Sequence, residues 1–194
     1  MHVLLINGSP HEKGCTYTAL SLVAGELNAA GITTEILNVG TKPVGGCIGC
    51  GGCAKGNGCV FGGVVNEAIE KARTADAFVF GTPVHYASAS GNMTSFLDRL
   101  AYAGGKYLAY KPAAICASAR RAGTTATLDQ LVKYPEFFHM PLVSGSYWPM
   151  VHGSKPEQVL EDEEGCAVMR ELGRNMAWLL KCIELGKANG ITHP

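Results

Sequence analysis

Four cysteines lie close together in one stretch of the sequence, with the spacing Cys47-x2-Cys50-x2-Cys53-x5-Cys59. Three cysteines two residues apart can bind three corners of a cubane, and the fourth can reach the last corner. The spacing therefore predicts a [4Fe–4S] cluster. A metal-free loop, with thiols or a redox disulfide, is the alternative. Zinc fits less well, because structural zinc usually takes its ligands from two separated pairs.

The cysteines belong to residues 41–63, a stretch with nine glycines and no acidic residue. Such a stretch cannot be helix or strand throughout, and loops of this length inside a compact domain are usually functional. Its glycines allow backbone N–H groups to turn toward sulfur. The same loop could instead simply cover a neighbouring site.

The turn at residues 8–16 is a second candidate site. The hydroxyls of Ser9, Thr16 and Thr18 can donate to phosphate oxygens, and a helix that begins here offers free N–H groups. The turn has neither the Walker A pattern nor the dinucleotide-binding glycine pattern. It predicts an anion site, or alternatively Ser9 and Thr16 that only cap the helix.

Two later turns also have the composition of ligand-binding loops. Residues 82–91 combine a proline, two aromatic rings and small residues, which suits the flat face and the edge of an isoalloxazine, although an ordinary surface loop is the alternative. Residues 118–125 are small apart from Arg120 and Arg121. One of these arginines can meet a cofactor phosphate or the extra phosphate of NADPH, and we expect the other to be solvated.

Strands and helices alternate along the predicted chain. The predicted strands are Val3–Ile6, Thr33–Val39, Ala77–Phe80, Ala113–Ala117 and Leu142–Ser146. The predicted helices are one around Leu20–Leu27, then Val64–Arg73, Gly91–Ala103, Thr124–Phe138 with a break near Pro135, and Glu161–Lys187. This alternation predicts an α/β fold with a doubly wound parallel sheet. Ligands bind such sheets beyond the carboxyl ends of the strands, where the three candidate turns lie.

Several short motifs resemble those of one known family. They are Gly8-Ser9-Pro10 with Gly14 and Thr16, Thr82-Pro83-Val84 with Ser90-Gly91, and Phe96-Leu97-Asp98-Arg99. Together they resemble the NADPH-dependent FMN reductase family of flavodoxin-like proteins, and Cys47-Ile48-Gly49-Cys50 resembles its iron–sulfur flavoprotein branch. The resemblance implies a flavodoxin-like, five-stranded parallel sheet of order 2-1-3-4-5, with the cysteine-rich loop 41–63 inserted after strand 2.

The resemblance also implies FMN bound by the three turns, reduction by NAD(P)H, and a homodimer or homotetramer with the flavin near the subunit interface. The implied FMN-binding residues are Ser9, Pro10, Gly14, Cys15, Thr16, Pro83, Val84, His85, Tyr86, Ala87, Ser88, Ser118, Ala119, Arg120 and Gly123. Three residues depart from the family pattern: His11 and Cys15 in the first turn, where arginine and asparagine are common, and His85, where tyrosine is frequent.

Charge and length exclude several classes of protein. Sixteen basic and sixteen acidic residues give a formal net charge of zero, which argues against a dedicated nucleic-acid or anionic-membrane binder. No apolar run approaches the length of a membrane span, and Val3–Ile6 lacks the basic flank of a signal peptide. We therefore expect one cytoplasmic domain over residues 1–194.

Two functions follow from these expectations. The first is an FMN-dependent NAD(P)H oxidoreductase that passes electrons to a small acceptor: a quinone, a nitro or azo compound, or free flavin. The flavin carries the chemistry, so no catalytic side chain is needed. The second is an iron–sulfur and FMN electron-transfer protein that acts between protein partners. The neutral charge favours the enzyme, because specialised carriers often use a strongly charged docking face.

Overall fold

A computed structural model describes residues 1–193 of the chain. The strands of this part are β1 (His2–Asn7), β2 (Thr33–Asn38), β3 (Ala77–His85), β4 (Ser88–Ala89), β5 (Ala113–Ala119) and β6 (Met150–His152). Its α-helices are α1 (Cys15–Ala29), α2 (Val64–Thr74), α3 (Gly91–Gly104), α4 (Thr124–Phe137), α5 (Pro156–Glu161) and α6 (Glu163–Ala188). Short 3₁₀ turns lie at Gly52–Lys55 and Gly105–Tyr107.

The parallel strands pair in the order β2-β1-β3-β5-β6, and the two-residue β4 pairs antiparallel with the end of β3. Numbered among the parallel strands alone, this is the predicted order 2-1-3-4-5, so the predicted fold is confirmed. The order changes direction between β1 and β3, which creates a switch point at the carboxyl ends of these strands.

Alternating side chains of the central strands supply two separate cores. Leu4 and Ile6 of β1 pack on one face with α2, α3 and α4. Val3 and Leu5 pack on the other face with α1, α5 and α6. All four side chains are fully buried. This burial on both faces explains why β1 is a continuous apolar run rather than an alternating one.

The predicted fifth strand at Leu142–Ser146 is wrong in position. Leu142 forms one isolated bridge with Ala113, and the Val143 N–H donates to the Ala113 carbonyl at 2.8 Å. The chain then leaves the sheet at residues 144–148 and pairs again from Pro149, so that β6 is Met150–His152. Two serines and a glycine follow Val143, and these residues favour a strand poorly.

Three other boundaries differ from the prediction. Strand β3 continues five residues beyond the predicted Phe80 and carries the second candidate turn to the sheet edge. Pro135 does not break α4, which ends two residues later at Phe137. The predicted last helix is α6, which begins at Glu163 rather than Glu161, because Asp162 separates it from the short preceding helix α5 and caps it, its Oδ1 accepting from the Gly165 N–H at 2.9 Å.

Within residues 1–193, the helices all lack the combination of length and apolar character that crossing a bilayer requires.

Candidate functional site

The turns after β1, β3 and β5 meet at the carboxyl edge of the sheet in one cleft of about 140 Å³. The cleft is lined by Ser9, His11, Cys15, Thr16, Pro83, Val84, His85, Ser118, Ala119, Arg120 and Gly153. The structure thus brings together most of the predicted FMN-binding residues. The others, Pro10, Gly14, Tyr86, Ala87, Ser88 and Gly123, lie in the same turns outside this lining.

The N-terminus of α1 lies at the cleft without a side-chain cap. Its N-cap residue is Gly14, and its first turn contains no acidic residue. The Ser9 hydroxyl accepts from a backbone N–H of its own turn, and the hydroxyls of Thr16 and Ser118 are 2.7 Å apart. The capping alternative is therefore wrong. The Thr18 hydroxyl donates to the Gly14 carbonyl at 3.2 Å and lies outside the cleft lining. Uncapped N–H groups and the positive dipole end favour an anion here.

Asn7, at the end of β1, holds the first turn in shape. Its side chain is fully buried. Its Oδ1 accepts from the Ser9 N–H at 3.1 Å, and its Nδ2 donates to the Glu12 carbonyl at 3.2 Å and to Asn38 Oδ1 at 2.8 Å. Gly40 packs on the same turn, where a Cβ would lie 2.3 Å from the Ser9 carbonyl oxygen. Sequence reasoning missed Asn7, although its place at a strand end was a usable signal.

The second turn is the tip of the β3–β4 hairpin. Tyr86 and Ala87 have φ values of 51° and 59°, which is the left-handed pattern of a type I′ turn. Such backbone is unusual for residues with a side chain and is held by the surrounding contacts. One of these contacts is Gln130, whose Oε1 accepts from the Ser88 hydroxyl and the Ala89 N–H. These contacts therefore hold the turn that presents the fully exposed Tyr86 ring.

Close contacts lock the three turns to one another. The Ser90 hydroxyl donates to the Gly8 carbonyl at 2.8 Å, and the Ser90 N–H donates to the Thr82 hydroxyl at 3.1 Å. Gly123 has a φ of 95°, and a Cβ at this position would lie 2.7 Å from the Ala87 Cα. The glycine therefore lets the third turn pack directly on the hairpin tip.

The cleft also contains residues that were not predicted as site residues. Gly153 follows β6, and its carbonyl accepts from the Cys15 thiol at 3.4 Å. Burial raises the pKa of the Cys15 thiol, which keeps it protonated as this donor. The misplaced fifth strand hid Gly153, and His11 was noted only as a departure from the family pattern. Arg120 lines the cleft, while Arg121 is exposed and outside its lining.

The four clustered cysteines line a second cavity, of about 230 Å³. Its lining is Cys47, Ile48, Gly49, Cys50, Gly51, Cys53, Cys59, Val60, Phe61, Arg99, Tyr102 and Ala103. All four thiols are free. Among residues 1–193, no three metal-binding side chains converge closely enough to hold a single ion. The four cysteines therefore line one cavity, but in this part of the chain they are not arranged as the ligands of a single ion.

Helices α2 and α3 hold the cysteine-rich loop at both ends. At its start, Asn92 donates to the Gly40 carbonyl at 2.9 Å and accepts from the Val44 N–H at 3.1 Å. At its end, Asn66 accepts from the Cys59 N–H at 2.8 Å and donates to the Cys59 carbonyl at 3.0 Å. Cys59 is thus the most firmly positioned of the four cysteines, whereas Cys47 is exposed.

The amino-acid sequence matches the NADPH-dependent FMN reductase family over residues 1–155, most of the chain. The chain belongs to this family. Among its relatives is an iron–sulfur flavoprotein of Methanocaldococcus jannaschii, 27% identical over 192 residues, which cover 95% of this chain and 100% of that protein. An iron–sulfur flavoprotein of Archaeoglobus fulgidus is 29% identical over 169 residues, which cover 85% of this chain and 83% of that protein.

Solved structures support the same fold. The crystal structure of RosB with a bound riboflavin-phosphate intermediate superposes with a TM-score of 0.74 at 14% identity, over 95% of this chain and 81% of that one. The NAD(P)H:quinone oxidoreductase of Methanothermobacter marburgensis gives a TM-score of 0.68 at 18% identity, over 91% and 96% of the two chains. At these identities the likeness shows the flavodoxin-like fold alone.

The cleft of this FMN reductase family member suits the anionic end of FMN. It combines an uncapped helix N-terminus with hydroxyls at Ser9 and Thr16. When two hydroxyls bond to each other, as at Thr16 and Ser118, the acceptor keeps its own hydrogen for a further bond. A cleft of about 140 Å³ is smaller than the roughly 300–1,000 Å³ of pockets that enclose whole ligands. A cleft of this size could enclose only part of an FMN.

Proposed function

We propose that this protein is an FMN-dependent NAD(P)H oxidoreductase that passes electrons to a small acceptor: a quinone, a nitro or azo compound, or free flavin. The observation that carries the proposal is the meeting of three turns in one cleft at the uncapped N-terminus of α1. Membership of the FMN reductase family supports the same conclusion.

In this proposal the first turn holds the phosphate and the other two turns hold the ring. Ser9, Thr16 and the N–H groups at the start of α1 donate to phosphate oxygens, around the geometry set by Pro10, Gly14 and Cys15. The hairpin residues Pro83, Val84, His85, Tyr86, Ala87 and Ser88 and the third-turn residues Ser118, Ala119, Arg120 and Gly123 surround the flavin. The bound flavin supplies the two-electron chemistry, and the protein orients it and shapes the space beside it.

Arg120 lies beside the flavin in this proposal, and we assign its guanidinium to the nucleotide. Its side chain is exposed at the cleft and forms no ion pair with any carboxylate of residues 1–193. A guanidinium in this position can bind the phosphates of NAD(P)H. Arg121 has the same charge and exposure but lies outside the cleft lining, so it offers a matched control.

The experiment is anaerobic oxidation of NADPH and NADH by the purified protein, after its absorption spectrum has established the bound flavin. We expect the absorption bands of bound flavin and measurable oxidation of at least one nucleotide. The kinetics should be ping-pong, because donor and acceptor use the same open face of the flavin. R120M should raise the KM for the nucleotide about tenfold, which corresponds to one lost charged contact, while R121M should leave it unchanged. Protein without flavin, or negligible turnover with both nucleotides, would refute the proposal.

A second candidate function is electron transfer between protein partners through FMN and a [4Fe–4S] cluster. One observation favours it: the four cysteines line one cavity whose rim exposes Ile48, Phe61 and Tyr102. Their chemistry suits a cluster, because all four are free thiols in a glycine-rich loop. In this proposal Cys47, Cys50, Cys53 and Cys59 are the ligands. The names of the archaeal relatives support it.

Iron and sulfide assays on anaerobically purified protein test the cluster. We expect about four of each per chain, the composition of this cluster type, and their loss in C59S. Iron-free protein with fully alkylatable thiols would favour the metal-free alternative.

The family resemblance supports three lesser proposals: one FMN-binding domain over residues 1–194, a homodimer or homotetramer, and a cytoplasmic location. Light scattering on the purified protein tests the second, and a monomer at micromolar concentration would contradict it.

A further inference from the structure

Arg99 reaches from α3 into the cysteine-rich loop and is 6% exposed. Its Nε donates to Cys59 Sγ at 3.2 Å. Its Nη1 donates to the Gly45 carbonyl at 3.3 Å, and its Nη2 donates to the Gly62 carbonyl at 3.0 Å. One side chain therefore binds the beginning of the loop, its end and one of its sulfurs. The Phe61 ring lies 5.5 Å from the centre of the guanidinium.

This buried cation has no carboxylate partner among residues 1–193. None of the ion pairs there includes Arg99. The neighbouring Asp98 is engaged elsewhere, since its Oδ1 accepts from the Tyr134 hydroxyl at 2.6 Å. A guanidinium stays protonated in proteins, and a buried charge without a counter-charge is strongly destabilising. The arrangement therefore points to an anion that is not a carboxylate.

The cysteines are the groups that can supply this anion. Residues 41–63 contain no aspartate or glutamate, and their only other charged residues are Lys42 and Lys55. Cysteine sulfurs become anionic when they bind metal, because the thiolate is the ligand form. Arg99 contacts such a sulfur directly through Cys59.

We propose that Arg99 is the positioning residue and counter-cation of the cysteine site, and that it tunes the reduction potential of the cluster held there. The inference rests on the cluster proposed above. The reduced cluster carries one more negative charge than the oxidised cluster, so a fixed positive charge stabilises the reduced form. A hydrogen bond to a ligand sulfur acts in the same direction, and both are known determinants of cluster potential.

Three variants test this role in the full-length, anaerobically prepared protein. R99M removes the charge and all three hydrogen bonds while retaining much of the side-chain volume. R99K keeps the charge and one donor group. K55M removes a positive charge from the same loop, but Lys55 is exposed rather than buried, so it is the matched control. Bound FMN and the circular dichroism spectrum confirm that each variant is folded.

The readouts are iron and sulfide per chain and the midpoint potential of the cluster from a redox titration followed by electron paramagnetic resonance. We expect R99M to lower the potential and to lose iron at least several-fold faster to a chelator. R99K should lie close to the wild type in potential, and K55M should match it in both measurements. If R99M fails to fold, R99K and K55M are compared instead. Faster loss of iron to a chelator from R99K than from K55M would then measure the contribution of the arginine hydrogen bonds.

The outcomes separate the two proposals. A wild-type protein that binds no iron and sulfide overturns the cluster, and this inference with it. A wild-type protein that holds a cluster whose potential and chelation rate are unchanged in R99M overturns the role of Arg99 alone. Equal effects of R99M and K55M also overturn it, because they would show a diffuse charge effect rather than the buried contact.

Discussion

Replacing Asn7 with alanine should weaken both the fold and the grip on the FMN phosphate. The substitution removes three hydrogen bonds of one fully buried side chain, to the Ser9 N–H, the Glu12 carbonyl and Asn38 Oδ1. Each bond contributes about 0.5–1.5 kcal/mol net, and the groups left unpaired add to the loss. Glu12 is exposed and can bond to water instead. We therefore expect the free energy of unfolding to fall by about 2–4 kcal/mol.

The control is N38A, which removes only one of these three bonds and should cost about 1 kcal/mol. Denaturant unfolding of the flavin-free proteins measures both losses. Titrations with FMN and with riboflavin then isolate the phosphate. We expect N7A to weaken FMN binding about tenfold or more, equivalent to about 1.4 kcal/mol, and to change riboflavin binding far less.

Two results would refute this reasoning. Equal losses of stability in N7A and N38A would show that the Ser9 and Glu12 bonds contribute little. Equal weakening of FMN and riboflavin binding would show that the first turn does not hold the phosphate, whatever the effect on stability.

Three further substitutions test other parts of the structure. G123A forces a side chain into left-handed backbone against the hairpin tip, so it should lower the free energy of unfolding by about 1–3 kcal/mol and weaken flavin binding. The control G25A, in open space on α1, should leave stability unchanged or raise it. Equal changes in stability for the two variants would contradict this prediction. Burial raises the pKa of Cys116 to about 12. The folded state therefore retains a proton that the unfolded state loses above about pH 9, and stability should fall with rising pH by up to about 1.4 kcal/mol per unit. In urea unfolding from pH 8 to 11, the stability of C116V should therefore fall less steeply with pH than that of the wild type. Equal slopes of stability against pH in the two proteins would count against this prediction. Y134F loses the hydroxyl bond to Asp98 and should cost about 1–2 kcal/mol in denaturant unfolding; a loss that persists in a D98A background would have another origin.

The central fold could be predicted because its signals are local. Val3–Ile6 is continuously apolar since β1 is buried on both faces, and the motif around Pro10 identifies the turn after β1. The motif around Pro83 was less informative, because Pro83 lies in β3 and not beyond its end. The residues from Leu142 to Ser146 have a similar apolar start. Nothing local indicates that they pair for one bridge and then leave the sheet, because this depends on partners in β5.

The loops that form the candidate site could be predicted from the sequence, but the hydrogen bonds between their side chains could not. The hydroxyls of Ser9, Thr16 and Ser118 identify these residues as possible ligand donors. The sequence does not show that the Thr16 and Ser118 hydroxyls bond to each other. The roles of Asn7 and Arg99 depend on partners far away in the sequence, such as Asn38 and Cys59. A single side chain gives no sign of such partners until the chain is folded.

Helix α3 supports both cavities. Ser90 at its N-terminus joins the first two turns of the cleft, and Arg99, about 13 Å further along at 1.5 Å per residue, contacts Cys59. A shift of this helix on binding at one cavity would therefore reach the other. Any coupling of this kind is reciprocal: the factor by which bound FMN strengthened cluster retention would equal the factor by which a bound cluster strengthened FMN affinity.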